Sequence, residues 1–407
     1  MPLSKDITDW LSRQQLKNFR LDLGPITKAL QLFNNPQNNY DSIHIVGTNG
    51  KGSTAAFLRS LFMGLGYKTG LMTSPHLLDV RERIQIDHQL VSTAAFNELL
   101  HKIRNTLHNE DDLSYFEILT LAGFEYFSQM GIDIAIVEAG MGGRFDATNV
   151  LQPKVAVFTP ISMDHEKYLG DTIEKIAEEK CAILKSDTIV VSAPQQATVA
   201  KIIEAHCANL KLKLHWADPS KITTPLGLAG QHQKANAATA LLAAQVLLPM
   251  TEMKNIYPKT FQTTQWPGRL QYLQHNPTIL IDGAHNRAGI ETLANYLQEK
   301  HPHQKIHFLI GVLEDKNWET MFAPLARLAE RFICVTPPTE RGLPACRLAT
   351  ALKPLGKPTE VFDKPLSQVL QSLLATASPK DLFVATGSLY MIGDLLHVSS
   401  NTIKTSA

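Results

Sequence analysis

The sequence has little cysteine, no excess of charge of either sign and no long apolar run. Four cysteines occur in 407 residues, at positions 181, 207, 334 and 346, and no two of them form a Cys-x-x-Cys pair. This usage argues against a disulfide framework and against a zinc-finger-type site. With 39 Lys and Arg against 38 Asp and Glu, the net charge of +1 gives no global field that would attract nucleic acid or anionic membranes.

The sequence does not indicate a signal peptide or a membrane span. The first ten residues carry charges where a signal peptide needs an apolar run. No stretch reaches the roughly 18 apolar residues of a membrane span. We therefore expect a soluble cytoplasmic protein with no nucleic-acid partner and no membrane partner.

Short apolar runs alternate with helix-like segments along the whole chain. The strand candidates are Ile43–Val46, Thr69–Met72, Ile132–Val137, Val155–Thr159, Ile189–Ser192, Thr278–Ile281, Ile306–Ile310, Phe332–Val335 and Leu382–Ala385. Runs of this length, separated by helices, predict parallel strands with crossover helices. Trp266-Pro-Gly268 interrupts the series. We therefore predict an α/β protein of two domains, an N-terminal P-loop-type domain (1–268) and a C-terminal Rossmann-like domain (277–407).

A glycine-rich turn joins the first predicted strand to a helix. Gly47-Thr-Asn-Gly-Lys-Gly-Ser-Thr54 precedes the predicted helix Ala55–Leu65. Glycines let backbone amides face an anion, the helix N-terminus adds partial positive charge, and Lys51 can reach the outer phosphates. A nucleotide phosphate loop is the favoured interpretation. A purely structural turn is the alternative, because Gly52 separates Lys51 from Ser53 and breaks the strict Walker pattern. The guanine-specific Asn-Lys-x-Asp sequence is absent, which favours ATP.

Oxygen and nitrogen donors follow three of the predicted strands. Ser74 comes after the second strand, Glu138 ends the third, and Asp164-His165 lies beyond the fourth. Ligands gather at the carboxyl ends of parallel strands, and Mg²⁺ prefers oxygen donors. We therefore predict a magnesium site near Glu138. A turn carboxylate and a structural histidine are the alternatives.

Lys180 falls on an apolar stripe. Asp171-Thr-Ile-Glu174 predicts a capping box, and the stripe at helical spacing comprises Ile173, Ile176, Ala177, Ile183 and Leu184. Spacing alone favours a lysine whose apolar stem lies on the stripe while its ammonium reaches water. A buried lysine that faces a phosphate or metal, or that is chemically modified, is the alternative.

Taken together, these motifs resemble the folylpolyglutamate synthase/dihydrofolate synthase family of Mur-ligase-like, ATP-dependent amide ligases. The resemblance covers nearly the whole chain. Its motifs are Gly47-Thr-Asn-Gly-Lys-Gly-Ser53, Thr73-Ser-Pro-His76, Glu138-Ala-Gly-Met-Gly-Gly-Arg-Phe-Asp-Ala-Thr-Asn149, Asp164-His165, Glu179-Lys180, Gly230-Gln-His-Gln-Lys-Ala-Asn236, Pro267-Gly-Arg269, Asp282-Gly-Ala-His-Asn286 and Thr386-Gly-Ser-Leu-Tyr390. It implies a Mur-ligase-like domain for ATP and pteroate, and a C-terminal domain for glutamate ligation.

The resemblance also implies nucleotide and metal contacts. The implied phosphate ligands are Asn49, Gly50, Lys51, Gly52 and Ser53, the implied magnesium ligands are Ser74, Glu138 and His165, and the further ATP contacts are Asn236, Arg269, Asp282 and His285. Lys180 matches a lysine that is carbamylated in this family, which would place a carboxylate-like group near the metal. The catalytic roles therefore fall to Lys51, His165 and Lys180.

Three segments resemble those that bind dihydropteroate in bifunctional bacterial enzymes. They are Asp22-Leu23-Gly24, Tyr115-Phe116-Glu117 and Arg144-Phe145-Asp146. Pro25 and the pair Ser114-Tyr115 depart from the usual pattern, which leaves the balance between the two activities open. Without the family, Phe116 would be assigned to core packing and Glu117 to a helix start.

The implied reaction adds L-glutamate to dihydropteroate and to reduced folates, in folate biosynthesis and one-carbon metabolism. ATP phosphorylates the pteroate carboxylate, and the glutamate amine then displaces phosphate from the acyl phosphate. His285 is a candidate base and Lys316 a candidate partner for a glutamate carboxylate. The resemblance suggests a monomer.

Other functions are weighed against this one. A monofunctional folylpolyglutamate synthase, a muramyl-peptide ligase and an ATP-hydrolysing regulator are the alternatives. Gly52 and the segment Tyr115-Phe-Glu117 favour a folate substrate over a muramyl one. An oxidoreductase is excluded because Ile279–Ile281 is followed by no Gly-x-Gly-x-x-Gly.

Overall fold

A computed structural model of the chain describes residues 3–15, 21–107 and 112–402, with side chains up to residue 399. The chain divides into two compact units. The first comprises residues 1–161, 172–227 and 234–264, and the second comprises residues 162–171, 228–233 and 265–407. The second unit therefore includes two short stretches from the N-terminal part of the chain. The assignment of functions to residues 1–268 and 277–407 stays a prediction.

The first unit contains one mixed sheet. Its strands are β1 (Asp41–Val46), β2 (Thr69–Met72), β3 (Ile84–Ile86), β4 (Gln89–Leu90), β5 (Ile134–Glu138), β6 (Val155–Phe158), β7 (Ile189–Ser192) and β8 (Leu214–Trp216). Their order is β4-β3-β2-β5-β1-β6-β7-β8. The pairs β2–β3 and β3–β4 are antiparallel, and the other neighbouring strands are parallel. The strands β5 and β6 are buried along their whole length, as is β1 after Asp41, which is typical of parallel strands in α/β proteins.

Helices occupy much of the chain up to residue 264. The α-helices are α1 (Lys5–Gln15), α2 (Gly24–Leu32), α3 (Lys51–Gly64), α4 (Thr93–Thr106), α5 (Tyr115–Met130), α6 (Glu166–Leu169), α7 (Ile173–Cys181), α8 (Ala197–Asn209), α9 (His232–Gln245), α10 (Met250–Met253) and α11 (Tyr257–Thr263). The 3₁₀ helices are Pro36–Asn38, Val80–Arg83, Ala147–Val150 and Pro219–Lys221.

The second unit is built on another sheet. Its strands are β9 (Gln271–His275), β10 (Thr278–Ile281), β11 (Ile306–Ile310), β12 (Ala329–Val335), β13 (Thr359–Phe362) and β14 (Leu382–Thr386), in the order β13-β12-β11-β14-β10-β9. Its remaining helices are α12 (Arg287–Lys300), α13 (Trp318–Met321), α14 (Ala345–Leu352), α15 (Leu366–Ala375) and α16 (Leu389–Thr402), with 3₁₀ helices at Ala323–Leu325 and Lys353–Leu355. All neighbouring strands are parallel except β9, which pairs antiparallel with β10.

Each unit has its own apolar core. The first is packed around Trp10, Phe96, Phe124 and Phe127, and the second around Phe308, Phe322 and Phe332, all of them fully buried. Such separate cores are what define two units of this size. Among the described helices, none has the length and apolar character that crossing a membrane would require.

The strand predictions are confirmed, with four of the nine bounded as expected. The predicted helix Ala55–Leu65 begins four residues earlier, at Lys51. Its start differs because Gly50 adopts a left-handed conformation (φ 87°) and ends the loop, so that Lys51, Gly52 and Ser53 already form the first helical turn.

Candidate functional site

The loop after β1 turns at two glycines. Gly47 and Gly50 have φ values of 151° and 87°. A Cβ at Gly47 would lie 2.0 Å from Oγ1 of Thr159, and one at Gly50 would lie 2.3 Å from Oδ1 of Asn236. Glycine is therefore required at both positions. Because α3 starts immediately afterwards, its free N-terminal amides and the positive end of its dipole lie at this loop, which is the arrangement that binds phosphate.

The Lys51 ammonium lies on the carbonyls of this loop. It donates to the carbonyl oxygens of Gly47 (3.2 Å) and Thr48 (3.3 Å) and lies 3.7 Å from Oε1 of Glu138. Glu138 is the last residue of β5, which pairs with β1 so that Glu138 is level with Ile45. The parallel pairing thus brings a cation and a carboxylate together at the carboxyl edge of the sheet.

Lys180 is buried, so the prediction that its ammonium reaches water is wrong. The residue is 4% exposed and its Nζ donates to the Gly47 carbonyl oxygen at 2.9 Å.

The predicted capping box at Asp171 is also corrected, because the Thr172 hydroxyl caps α7 by accepting from the Lys175 amide. The helix ends at Cys181, so the last two apolar residues of the predicted stripe lie beyond it.

The loop of residues 139–149 fixes α7 against the sheet. The Arg144 amide donates to the Glu179 carbonyl oxygen (3.1 Å), and the Arg144 guanidinium bonds the Glu179 carboxylate (2.9 Å). A Cβ at Gly143 would lie 2.6 Å from that carbonyl oxygen and 3.0 Å from Cα of Lys180. This close approach places Lys180 with its ammonium at the phosphate loop.

A buried polar network ties the same loop to β1. The Asp146 carboxylate accepts from the amides of Met141 (2.8 Å) and Thr148 (3.0 Å) and from the Thr148 hydroxyl, and that hydroxyl also bonds Nε2 of His44 at 2.7 Å. Burial raises the pKa of Asp146, although its hydrogen bonds oppose the shift, and burial lowers the pKa of His44 to about 3. The carboxylate therefore holds its own loop, and its predicted contact with substrate stays a prediction.

Sequence reasoning did not identify His44 or Thr148 as structural partners. The available signal was a histidine in the middle of the apolar run Ile43–Val46. A buried polar side chain in such a position needs a hydrogen-bond partner, but the sequence does not say which one.

The segment 115–117 begins α5. Glu117 closes a capping box with Ser114, accepting from its amide (2.8 Å) and hydroxyl (2.6 Å), which confirms the helix-start interpretation. Phe116 is half-buried and packs against Gly140, where a Cβ would lie 2.6 Å from Cζ of its ring. Because the Glu117 carboxylate already accepts hydrogen bonds from Ser114, its predicted substrate contact also stays a prediction.

The other predicted substrate residues lie at or near the surface. Asp22 is exposed and its carboxylate accepts from the Gly24 amide at 2.8 Å, at the start of α2. Leu23 and Phe145 are half-buried, and Arg144 is exposed. These positions are accessible to a small molecule.

Ser74 follows β2 at the same edge of the sheet as Glu138. The strands β2 and β5 are paired with Met72 level with Val137, so the residues that follow each strand leave the sheet together. Two residues further on, His76 accepts a hydrogen bond at Nδ1 from Nε of Arg83 (2.9 Å). The Arg83 guanidinium lies over the Tyr115 ring, 5.6 Å from its centre. Arg83 was not among the predicted site residues.

The second unit has a charged cluster centred on Asp164. Its carboxylate accepts from Nζ of Lys316 (2.7 Å) and from Nδ2 of Asn286 (2.9 Å), and Nε2 of His285 lies 3.8 Å away. Nε2 of His165 lies 3.4 Å from Nζ of Lys316. Burial alone would raise the pKa of Asp164, but the charges of Lys316, His285 and His165 hold it well below its usual range. Burial and the Lys316 charge lower the pKa of His285 to about 4.

Asp282 is placed beside this cluster by β10. Its carboxylate accepts from the amides of Leu270 and Ala284, both at 2.9 Å. His285 donates from Nδ1 to the Gly283 carbonyl oxygen (2.8 Å), so its proton is on Nδ1 when the ring is neutral. The half-buried guanidinium of Arg269 lies near Gly283. The ATP contacts predicted here stay predictions.

The structure thus places the predicted residues in two groups. The first unit holds the phosphate loop, Ser74, Glu138, Lys180, Asn236 and the three substrate segments, and the second holds His165, Arg269, Asp282, His285 and Lys316. Within the described ranges, no three His, Cys, Asp or Glu side chains form a cluster that could hold a metal ion. A metal site here would therefore need hydroxyl, water or phosphate ligands as well.

Comparison with known families agrees with this geometry. Residues 45–193 match the family described as "Mur ligase middle domain", and residues 268–389 match "Mur ligase, glutamate ligase domain". The fold and the phosphate loop therefore define a Mur-type ligase.

Full-length relatives narrow the class. The chain is 30% identical to "Dihydrofolate synthase/folylpolyglutamate synthase" of Bacillus subtilis, covering 96% of this chain and 98% of that protein. It is 32% identical to "Folylpolyglutamate synthase" of Lacticaseibacillus casei, covering 90% and 91%. The chain belongs to the dihydrofolate synthase/folylpolyglutamate synthase family.

Solved structures share the fold over the whole length. The folylpolyglutamate synthase of Mycobacterium tuberculosis complexed with ADP superposes with a TM-score of 0.89 at 29% identity, covering 97% of each chain. The bifunctional enzyme of Yersinia pestis complexed with AMPPNP and Mn ion superposes with a TM-score of 0.86 at 25% identity, covering 98% of this chain and 99% of that one.

Proposed function

We propose that this chain ligates L-glutamate to dihydropteroate, forming dihydrofolate, and to reduced folates, forming folylpolyglutamates, with ATP as the phosphoryl donor. The observation that carries the proposal lies at the end of β1, where Lys51 and Lys180 both donate to the Gly47 carbonyl and Glu138 lies 3.7 Å from the Lys51 ammonium. In a chain of this family, that arrangement is a site for phosphoryl transfer to a carboxylate.

The phosphate loop supplies positioning and positive charge. The α3 amides and the Gly47–Gly50 backbone bind the phosphates, together with Asn49, Gly52 and Ser53. Lys51 exchanges its two loop carbonyls for phosphate oxygens, which are charged and therefore stronger acceptors. The pteroate carboxylate attacks the γ-phosphate, ADP leaves, and the glutamate amine then displaces phosphate from the acyl phosphate.

A divalent metal, Mg²⁺, fits beside Glu138. Glu138 is a carboxylate at 5% exposure, and Ser74 follows the neighbouring strand. One or two carboxylates, with waters and substrate phosphates, are what Mg²⁺ usually takes from a protein. Ser74 and Glu138 would hold the ion, with His165 assigned as a further ligand through the family. When bound, the ion neutralises charge on the transferred phosphoryl group.

We assign a carbamate to Lys180. A lysine at 4% exposure beside the phosphate loop brings a second cation close to Lys51, since both ammonium groups donate to the same carbonyl oxygen. Addition of CO₂ to the neutral amine, with loss of a proton, would convert that cation to an anion near the metal. Labelling with ¹³C-bicarbonate would give a carbamate carbon signal that is absent in Lys180→Gln.

The second unit would handle glutamate. Lys316 is a cation that can bind a glutamate carboxylate, and His285 has a neutral ring at pH 7 with its lone pair on Nε2, as a proton acceptor requires. Residues 277–407 would be the glutamate-ligase domain and residues 1–268 the ATP- and pteroate-binding domain. The family also supports ATP contacts from Asn236, Arg269, Asp282 and His285, and pteroate contacts from the segments 22–24, 115–117 and 144–146.

Assembly and location belong to the same proposal. A monomer is supported by the family resemblance, and light scattering of the purified protein tests it. All four cysteines are free, which is typical of a reducing compartment and supports the cytoplasm.

The test is ADP release with ATP, Mg²⁺ and L-glutamate, comparing 7,8-dihydropteroate with a reduced monoglutamyl folate. We expect glutamate-dependent release with both substrates and its loss in Lys51→Ala. The matched control, Lys201→Ala, removes an exposed lysine of α8 and leaves the rate unchanged.

The same assay separates the alternatives. Release with the folate alone would indicate a monofunctional folylpolyglutamate synthase and would overturn the dihydropteroate assignment. Release with muramyl substrates instead would indicate a muramyl-peptide ligase. ADP release that needs no glutamate would indicate a nucleotide-hydrolysing regulator.

A further inference from the structure

The hydrogen bond between Arg83 and His76 fixes the protonation of the His76 ring. Nε of Arg83 lies 2.9 Å from Nδ1 of His76. An arginine is charged at any relevant pH and its nitrogens only donate hydrogen bonds, so Nδ1 must be the acceptor and cannot carry a proton. The ring proton is therefore on Nε2. His76 is a neutral hydrogen-bond donor with a single orientation.

The loop that carries both residues is held by its own hydrogen bonds. The Glu82 carboxylate accepts from the amides of Leu77 (2.7 Å), Leu78 (3.0 Å) and Asp79 (2.9 Å). The Arg83 carbonyl oxygen accepts from the Thr73 amide at 3.2 Å, which joins the end of the loop to its beginning. A donor on such a loop needs little reorganisation when it binds a ligand.

The surroundings of this pair belong to the proposed substrate site. Arg83 lies over the ring of Tyr115, in one of the segments assigned to pteroate, and His76 is two residues from Ser74 at the sheet edge that carries Glu138. His76 is half-buried rather than enclosed. The carboxylate that receives the phosphoryl group must lie between the pteroate segments and the phosphate loop, which is the region these contacts define.

We propose that His76 donates its Nε2 proton as a hydrogen bond to the substrate carboxylate that is phosphorylated, and that Arg83 is the positioning residue that keeps the proton on Nε2. This inference rests on the proposed function. A neutral donor orients the carboxylate without protonating it, so the carboxylate remains a nucleophile.

The first test reads the tautomer directly. In protein labelled with ¹⁵N-histidine at pH 7, His76, assigned by its loss in His76→Gln, should show an unprotonated Nδ1 and a protonated Nε2. In Arg83→Met the Nδ1 signal should shift, because this nitrogen loses the hydrogen bond from the guanidinium. A protonated Nδ1 in the unsubstituted protein would overturn the inference, whatever the activity.

The second test uses steady-state kinetics of ADP release. His76→Leu removes the donor and should raise KM for the pteroyl substrate about tenfold, the effect of one lost hydrogen bond, with KM for ATP unchanged. His76→Gln keeps an N–H near the Nε2 position and should recover most of the loss. Arg83→Met should resemble His76→Leu. Arg81→Met is the matched control, because Arg81 lies on the same 3₁₀ helix but bonds Asp79 and Thr93 instead of His76.

The outcomes separate the two proposals. Wild-type activity with an unchanged KM for the pteroyl substrate in His76→Leu would overturn the donor role alone. An equal loss in Arg81→Met and Arg83→Met would also overturn it, since general damage to the loop would then explain the effect. The absence of glutamate-dependent release with any pteroyl substrate in the wild type would overturn the proposed function and the donor role together.

Discussion

Replacing Gly143 by alanine tests how the 139–149 loop positions Lys180. The added Cβ would lie 2.6 Å from the Glu179 carbonyl oxygen and 3.0 Å from the Lys180 Cα, whereas ordinary contacts begin at 3.4 Å. Both neighbours are backbone atoms and cannot turn aside as a side chain would. The loop and α7 must therefore separate, which moves Lys180 from the Gly47 carbonyl.

The magnitude follows from two contributions. Overpacking of this kind costs about 1–3 kcal/mol, and a lost hydrogen bond from a charged donor costs about 1.5–3 kcal/mol. We expect the free energy of unfolding to fall by about 2–4 kcal/mol, the sum being limited by relaxation of the loop. ADP affinity should fall at least about tenfold, because each 1.4 kcal/mol corresponds to that factor.

The assay combines urea denaturation followed by circular dichroism with calorimetric titration of ADP in Mg²⁺. Gly131→Ala is the control, since Gly131 has a φ of 56° and a Cβ there meets nothing within 4 Å. It should lose about 1 kcal/mol through backbone strain and keep its ADP affinity. Unchanged stability and affinity in Gly143→Ala would refute the claim that this contact places Lys180.

Three further predictions concern buried groups. Burial lowers the pKa of His44 to about 3, so the unfolded chain binds a proton near pH 6.5 that the folded chain excludes, and stability is lost on acidification. The substitution His44→Gln should reduce the loss of unfolding free energy between pH 7.5 and 5.5 by about 1.3 kcal/mol, as measured by urea titrations. The substitution Lys316→Met leaves the buried Asp164 carboxylate without its closest cation and should lower the free energy of unfolding by about 3 kcal/mol. In a double-mutant cycle, adding Asp164→Asn should restore part of that lost free energy. A thiol reagent should modify one cysteine in the native protein, the exposed Cys346, and four in urea, since the other three are buried; more than one fast thiol would contradict the burial.

The sequence predicted the fold well where strands are continuous apolar runs. Thr69–Met72 and Ile306–Ile310 are bounded as expected because four or five buried residues between helices leave few other structures. The strands β3, β4, β8, β9 and β13 were missed. The first three have only two or three residues, and β9 and β13 are mostly half-buried, so none of them gives a continuous apolar signal.

The site was predictable in its local motifs but not in its long-range contacts. The phosphate loop is contiguous in the sequence, so it can be recognised from its glycines and Lys51. Helical spacing places Lys180 on a face but does not give its depth, and its partner Gly47 is 133 residues away. The hydrogen bond of His44 to Thr148 spans 104 residues. Such pairings depend on sheet order, which no local pattern encodes.

The pairing of Lys316 with Asp164 has a consequence for how the chain matures. The two residues are 152 positions apart, and the second unit is assembled from three separate stretches of chain. During synthesis, residues 162–171 leave the ribosome long before their partners exist, so this unit can be completed only late, and contacts of such separation slow folding. A fragment of residues 277–407 would lack Asp164 altogether and would leave Lys316 without the carboxylate it pairs with. Separate production of this unit would therefore call for a rearranged gene that supplies residues 162–171 and 228–233 in place, rather than for a simple truncation.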